Sequence, residues 1–384
     1  MMLATASPPS VALLLGPGSL AAGAMVIRAK GGIPLPDRRG VRRHICGGIR
    51  GVGPASDRER GLRDDGVMAA TVLQVGEVPP PLTGALTAKY DVLVLPIDAG
   101  REDFLVEHGA SVRAIVDAGQ APIDAKLMEA LPNLGAIIHW PDGYETIDID
   151  AARRLGIGVS NTAEALTDAV ADAAVGLILM TVRSFGAAER YARAGRWSAE
   201  GPYPLARDVT GSRVGILGLG HIGSAIARRL AGFNCAISYH NRRQLPNPGY
   251  PYAPSAVDLA KSVEVLVVAA AGSKNAPPLV CREVLEALGP DGYLINIARG
   301  SVVDEEALVD LLARGRLAGA GLDVVTHEPD VPQQLREMDN VVVLPHVGSA
   351  TARTRAAMTA LALRNLDEYL TRGTLTTPVV EPTR

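Results

Sequence analysis

Along most of this chain, short apolar runs alternate with segments whose apolar residues recur every three or four positions. The runs read as buried strands and the periodic segments as helices laid against them. Ala69–Val75, Asp91–Pro96, Gly135–His139 and Gly158–Asn161 are expected to be extended, with helices over Pro122–Leu131 and Asp148–Leu155. Ala163–Ser184 is apolar on more than one face, which predicts a helix buried in a core or at a subunit contact. A second series follows: strands at Val214–Leu217, Ala236–Tyr239, Val263–Ala269, Tyr293–Ile297, Gly319–Val325 and Val341–Leu344. Helices are expected between them at Ile222–Ala231, Pro254–Lys261, Arg282–Leu288, Glu305–Arg314 and Val331–Arg336. The fold class is therefore α/β, with doubly wound parallel sheets. A last helix, Thr351–Thr371, is expected to dock on the first unit and make it discontinuous.

Composition narrows the class. The 384 residues can bury two cores, and 47% hydrophobic with 21% charged residues is ordinary for a soluble globular protein. The formal net charge of −3 argues against nucleic acid or an acidic membrane surface as a partner. Cys46, Cys235 and Cys281 are odd in number and far apart, which argues against disulfides or a zinc site and for a reducing compartment. No apolar run approaches the roughly 18 residues that span a bilayer. A cytoplasmic protein without a metal is expected.

The average hides a split. Residues 1–66 hold ten Lys/Arg against five Asp/Glu, and Gly plus Pro fill 18 of those positions. No aromatic residue precedes Tyr90. Such a segment has little apolar surface to offset ordering entropy, so 1–67 is expected to be a disordered extension. An upstream start, with Met68 opening the domain, is favoured over an Arg-rich transit peptide. A secretory signal is disfavoured because no positive charge precedes Val11–Leu15.

Two sets of residues carry chemistry. The first is the run Val214 to Gly223, VGILGLGHIG, a GxGxxG pattern between a strand and a helix. Gly218 permits a tight turn, Gly220 lets backbone approach a pyrophosphate, and Gly223 lets helix and strand pack. His221 and Ile222 open the helix, whose N-terminus supplies amides and a positive dipole end. Asn241, Arg242 and Arg243 end the next strand, 23 residues and more past Gly218, where a NAD-selective fold carries an acid. A missing carboxylate and two guanidinium groups favour a 2′-phosphate, so NADP(H) is the expected cofactor and NAD(H) the second candidate.

The second set is Arg299, Glu328 and His346, 29 and 18 residues apart, each directly after a predicted strand. Strand C-termini in an open parallel sheet line one edge, so the three are expected to converge on one pocket. Arginine clamps a carboxylate with a bidentate fork, histidine moves a proton near neutral pH, and a glutamate beside it fixes its orientation. Reduction of a 2-oxo acid suits that set.

With these residues the chain resembles the D-isomer-specific 2-hydroxyacid dehydrogenases, and within them the glyoxylate/hydroxypyruvate reductase branch. The resemblance runs from about residue 70 to 375 through GYETIDIDAARRLGIGVSNT, VGILGLGHIG, INIARGSVVDEEAL, GAGLDVVTHEP and LPHVGSAT. It implies two Rossmann-like domains with the active site in the cleft between them. Residues 68–162 and 351–384 would form the substrate domain and 163–350 the dinucleotide-binding domain. It implies that Arg299 binds the substrate carboxylate and carbonyl oxygen, that His346 is the general acid, and that Glu328 pairs with it. Asp323 would hold the nicotinamide carboxamide, with Ala298, His346 and Gly348 also at the cofactor. Backbone amides at Asp142, Gly143 and Tyr144 would grip the carboxylate. A homodimer through Ala163–Ser184 is implied, and a small 2-oxo or 2-hydroxy acid as substrate.

Two departures from the family pattern stand out. Its substrate loop usually reads Gly-x-Gly-Tyr, whereas this chain has Trp140-Pro141-Asp142-Gly143-Tyr144. Proline donates no amide, and Asp142 brings negative charge where a carboxylate is expected. Narrower substrate choice, weaker binding and an outward-turned Asp142 all remain open, the last slightly favoured. A threonine common after the fourth strand of the second unit is also replaced within Lys274-Asn275-Ala276. Larger 2-oxo acids such as hydroxyphenylpyruvate stay open as substrates, and a nucleotide-sensing corepressor on the same fold is the alternative from another class.

Overall fold

The structure, a computed structural model, describes residues 70–270, 272 and 276–383. The expected N-terminal extension, Met68, Cys46 and the departure at Lys274-Asn275 lie outside the described residues.

Two parallel sheets form the frame. The first contains β1 (Thr71–Val75), β2 (Asp91–Val94), β3 (Val112–Asp117), β4 (Ala136–His139) and β5 (Gly158–Ser160). The second contains β6 (Arg213–Leu217), β7 (Ala236–His240), β8 (Val265–Val268), β9 (Tyr293–Asn296), β10 (Gly319–Leu322) and β11 (Val341–Val343). A last strand, β12 (Pro378–Val380), returns to the first sheet and pairs antiparallel with β5. The orders are β12-β5-β4-β3-β1-β2 and β11-β10-β9-β8-β6-β7. Both reverse direction beside their first strand, and the crevice at such a reversal, outside the strand C-termini, is where ligands bind.

Helices cover both faces. They are α1 (Pro80–Lys89), α2 (Arg101–His108), α3 (Ala125–Glu129), α4 (Ile149–Leu155), α5 (Ala163–Val182), α6 (Phe185–Arg193) and α7 (Arg196–Glu200) in the first part of the chain. Then come α8 (His221–Leu230), α9 (Ala256–Ser262), α10 (Arg282–Leu288), α11 (Glu305–Ala313), α12 (Gln333–Glu337) and α13 (Ala352–Arg372). Many start on a side-chain cap. Asp124, Asp148, Ser255, Asp304 and Thr351 each accept from the backbone amide three residues on, satisfying a donor the first helical turn leaves open.

The helix expected over Pro122–Leu131 is shorter than the pattern suggested. Ile123 donates its amide to Thr146 and its carbonyl accepts from Asp148, so that residue is held extended and α3 begins only after Asp124. The helix α5 also corrects the sequence reading: it is long and apolar enough to span a bilayer by length and composition. It packs within the fold, against α8, α13 and β10. Leu166, Val170, Ala174, Leu177 and Ile178 bury its inner face in a core that runs through both sheets. Where α5 crosses the second sheet, a Cβ on Gly321 would lie 2.5 Å from Thr181 Oγ1, so only glycine allows that approach. The outer faces of the two sheets close over separate cores. Helix α13 packs on α5, β4 and α1, which brings the chain back to the first sheet.

Candidate active site

Loops leaving the C-terminal ends of both sheets meet around a cavity of about 470 Å³. Asp142, Gly143 and Glu145 reach it from the loop after β4, and Arg299, Asp323 and His346 from the ends of β9, β10 and β11. A second cavity, of about 630 Å³, adjoins it and shares Asp142, Gly143, Glu145 and Arg299.

His346 is held on both sides. Its Nδ1 lies 2.8 Å from Glu328 Oε2, which commits that nitrogen and leaves Nε2 as the one available to a ligand. The side chain is 48% exposed, open to the cavity. Its backbone takes φ 53, the left-handed region that a non-glycine residue occupies at a cost. Asp323 stabilises that turn. The carboxylate is 2% exposed and accepts from the amides of Val347 at 2.8 Å and Gly348 at 2.9 Å, while its carbonyl accepts from His346. A Cβ on Gly348 would press to 2.8 Å from Asp323 Oδ2. Each carboxylate oxygen thus has one lone pair committed to the histidine loop and one left for a ligand.

Arg299 reaches from the second sheet to the first. Its Nε pairs with Glu145 Oε1 at 3.2 Å, its Nη1 donates to the Ala298 carbonyl at 2.7 Å, and a Cβ on Gly143 would overlap its Nη2. Glu145 was not among the sequence candidates; its partner comes from the other sheet, and no local spacing signals the pair. Asp142 lines both cavities, so the outward orientation slightly favoured from the sequence is corrected. Burial pushes its carboxyl above the ordinary range; Arg299, His139 and His221 oppose that and Glu145 adds to it. Tyr144 lines only the second cavity and is 41% exposed, so the Asp142–Tyr144 segment does not act as one unit.

Beneath this loop lies a pair that the sequence reading missed. His139 and Asp117 are fully buried at the ends of β4 and β3. His139 Nδ1 lies 2.9 and 3.0 Å from the two oxygens of Asp117, and Nε2 lies 2.7 Å from the Gly143 carbonyl. Both partners are acceptors, so both ring nitrogens carry protons and the ring is a cation. Burial alone would lower its pKa, but the bond and charge of Asp117, with the Gly143 carbonyl, outweigh it and hold the group above its ordinary 6.5. A polar residue at each of two strand ends was the available signal.

The glycine-rich turn has the shape of a nucleotide cradle. Gly218 has φ +101, and a Cβ there would come to 2.5 Å from the Ala270 amide. A Cβ on Gly223 would collide with the Gly218 carbonyl, whereas beside Gly220 there is open space. That space belongs to a cavity of about 550 Å³ against the α8 N-terminus, lined by Gly220, His221 and Ser224. Ile222 sits in the wall of the central cavity and Ala298 in that of its neighbour. Asn241 turns inward: its Oδ1 accepts from the Leu219 amide at 2.6 Å, tying the end of β7 to the turn. Arg242 and Arg243 are exposed and make no ion pair among the described residues. Room for a pyrophosphate at a helix N-terminus, and two free guanidinium groups in place of an acid, fit a phosphorylated dinucleotide.

Comparison with known proteins agrees in sequence and in shape. Residues 175–348 match the family described as D-isomer specific 2-hydroxyacid dehydrogenase, NAD binding domain. The chain is 45% identical over 280 residues to a hydroxyphenylpyruvate reductase of Plectranthus scutellarioides, covering 73% of this chain and 89% of that protein. It is 41% identical over 309 residues to a glyoxylate/hydroxypyruvate reductase A of Arabidopsis thaliana, covering 80% and 98%. Among solved structures, an NADPH-dependent glyoxylate/hydroxypyruvate reductase of Sinorhizobium meliloti, in complex with NADP and malonate, superposes with a TM-score of 0.74 at 39% identity. That match covers 81% of this chain and 97% of the other.

Proposed function

The chain belongs to the D-isomer specific 2-hydroxyacid dehydrogenase family, in its glyoxylate/hydroxypyruvate reductase branch, and on that premise we propose that it reduces glyoxylate or hydroxypyruvate to the D-2-hydroxy acid with NADPH. The observation that carries the reading is the His346–Glu328 pair, 2.8 Å apart, with its histidine on the wall that Arg299 also lines.

The reduced nicotinamide, when bound, supplies a hydride to C2 of the substrate. The protein's residues do the rest. Arg299 offers its fork to the carboxylate and the carbonyl oxygen, polarising the bond to be reduced. Its pairing with Glu145 keeps that fork aimed across the cleft before substrate arrives. His346 donates its Nε2 proton to the oxygen of C2 as negative charge develops there. Glu328, accepting from Nδ1–H, keeps the ring oriented and balances its charge. Asp323 holds the histidine turn and has one lone pair on each oxygen for the carboxamide of the cofactor. Gly218, Gly220, His221, Ile222 and Gly223 form the pyrophosphate cradle, and Arg242 with Arg243 takes the 2′-phosphate, which makes NADPH the preferred donor over NADH.

In this reading the first sheet with α13 is the substrate side, the second sheet is the cofactor side, and closure of the cleft excludes water. The protein acts as a cytoplasmic homodimer without nucleic-acid or membrane partners. Support for a subunit contact comes from Phe185 and Trp197, exposed on α6 and α7 just past α5. A larger substrate such as hydroxyphenylpyruvate is the second reading. It is favoured by the name of the Plectranthus relative and by a cavity of about 470 Å³, within the ~300–1,000 Å³ that holds drug-sized ligands.

Initial rates with NADPH and NADH against a panel of 2-oxo acids test the reading. Oxidation of NADPH with glyoxylate and hydroxypyruvate, faster than that of NADH, is expected. Nucleotide binding without turnover of any 2-oxo acid would instead support the corepressor-like alternative.

A further inference from the structure

Three carboxylates line the central cavity: Asp142, Glu145 and Asp323. Glu145 is paired with Arg299, and Asp323 accepts from the amides of Val347 and Gly348. The Asp142 side chain makes no hydrogen bond or ion pair among the described residues. Its backbone is nevertheless tied down, because its carbonyl accepts from Asn161 Nδ2 at 2.8 Å. The neighbouring cations direct their donors elsewhere, Arg299 to Glu145 and the Ala298 carbonyl, His139 to Asp117 and the Gly143 carbonyl. Neither the fold of the loop nor the ion pairs of the site account for a charge at this position. A carboxylate only accepts. When substrate and cofactor displace water from the cleft, a partly buried acceptor left unpaired is costly.

The reaction leaves one end of the substrate for it. Around C2 stand the carbonyl oxygen, the carboxylate and C3. The oxygen is assigned to His346 and the carboxylate to Arg299. Asp142 repels a carboxylate, so the end that can lie against it is the uncharged C3 side. It stands in the wall shared by both cavities, where a substituent on C3 has room to extend. A methyl group or hydrogen there would leave the Asp142 oxygens unpaired, and a second anion would be repelled. A hydroxyl on C3 donates to them, and a hydrogen bond to a charged acceptor is among the stronger ones. Hydroxypyruvate carries that hydroxyl; glyoxylate and pyruvate do not.

We infer that the Asp142 side chain is a specificity-determining group that accepts a hydrogen bond from a hydroxyl on C3, so that hydroxypyruvate and other 3-hydroxy-2-oxo acids are preferred over 2-oxo acids without it. This rests on the reductase reading above and names the substrate class of that site.

The test compares hydroxypyruvate with pyruvate, which differs by that hydroxyl alone, in NADPH-dependent initial rates. The third substrate is 3-fluoropyruvate, whose fluorine withdraws electrons from the carbonyl as a hydroxyl does but donates no hydrogen bond. The wild-type protein is expected to favour hydroxypyruvate over pyruvate by about tenfold or more in kcat/KM. Asp142→Ala should abolish that ratio by raising the KM for hydroxypyruvate. Pyruvate, 3-fluoropyruvate and glyoxylate lose only repulsion and should bind no worse. Asp142→Asn keeps an acceptor oxygen without the charge and should retain part of the ratio. A second readout needs no turnover. In a Trp197→Phe background, Trp140 in the cavity wall is the one remaining tryptophan. Its fluorescence should report D-glycerate binding with a Kd about tenfold below that of D-lactate, and Asp142→Ala should close the gap.

Equal use of pyruvate and hydroxypyruvate by the wild-type protein overturns the inference. So does an equal loss on all four substrates in Asp142→Ala, which would make the residue a support of the loop. A fall in NADPH affinity in that variant would assign the carboxylate to a hydroxyl of the cofactor and overturn it as well. If no 2-oxo acid is reduced, the reductase reading fails, and the D-glycerate and D-lactate titrations still decide whether Asp142 selects the hydroxyl.

Discussion

The two sheets bring residues to one cavity by different means. On the second sheet the working groups are held by backbone: a turn with φ +101 at Gly218, a left-handed His346, and two amides that lock Asp323. On the first sheet the loop from Trp140 to Glu145 rests on a buried charge, His139, held by Asp117 22 residues earlier in the chain. Among the described residues, the His139 ring reaches that loop by hydrogen bond at the Gly143 carbonyl, which accepts from Nε2. One half encodes its site in conformations that few residues adopt, the other in an ion pair that needs both members. They should fail differently when altered.

The largest effect is expected on the first sheet. His139→Leu leaves the fully buried Asp117 without its ring partner, at a cost of about 3–5 kcal/mol. Thermal melting should show that loss. The KM for the 2-oxo acid should rise, with nucleotide affinity nearly kept, because the Gly143 loop loses its anchor. The pair also carries a pH signature. A histidine whose folded pKa lies above 6.5 contributes stability that is complete below 6.5 and is lost as pH rises through the folded value. Melting at a series of pH values, set against an Asp117→Leu/His139→Leu double variant, should show the wild-type advantage shrinking in that direction.

On the second sheet, Gly218→Ala sets a Cβ 2.5 Å from the Ala270 amide in a backbone region glycine favours. A loss of about 1–3 kcal/mol in stability is expected, and a nucleotide titration should show binding abolished, the reverse of the first-sheet pattern.

Legibility in the sequence followed the same division. The second sheet was readable strand by strand, because each strand is a three- to five-residue, largely apolar run, and Arg299, Glu328 and His346 each lie within six residues of a strand end. Arg299, Glu328 and His346 do share one sheet edge. The first sheet was only half readable. Strands β3 and β12 and helices α1 and α2 went unassigned, since partly exposed elements such as α2 have weak periodicity. The Arg299–Glu145 and His139–Asp117 pairs were missed because long-range pairing leaves no local spacing, and the inward Asp142 was read the wrong way. Burial decided that orientation, and burial depends on the packing of loops from both sheets.

The smallest effect sharpens the contrast at that loop. Asp142 titrates above the ordinary 3.8. Above its raised pKa the carboxylate repels an incoming substrate carboxylate; below it the repulsion is gone. Asp142→Asn should therefore lower the KM for glyoxylate by about threefold at neutral pH, and the gain should vanish as pH falls below the raised value. A KM profile against pH for both proteins checks this.

The central claim is that His346, oriented by Glu328, protonates the oxygen of a 2-oxo acid while the rest of the site stays intact. Single-turnover oxidation of bound NADPH with glyoxylate, in wild-type protein and His346→Ala, tests it most directly. The account predicts a rate lower by roughly 100- to 10,000-fold in the variant, with NADPH affinity nearly unchanged. Turnover at the wild-type rate without the imidazole would contradict it.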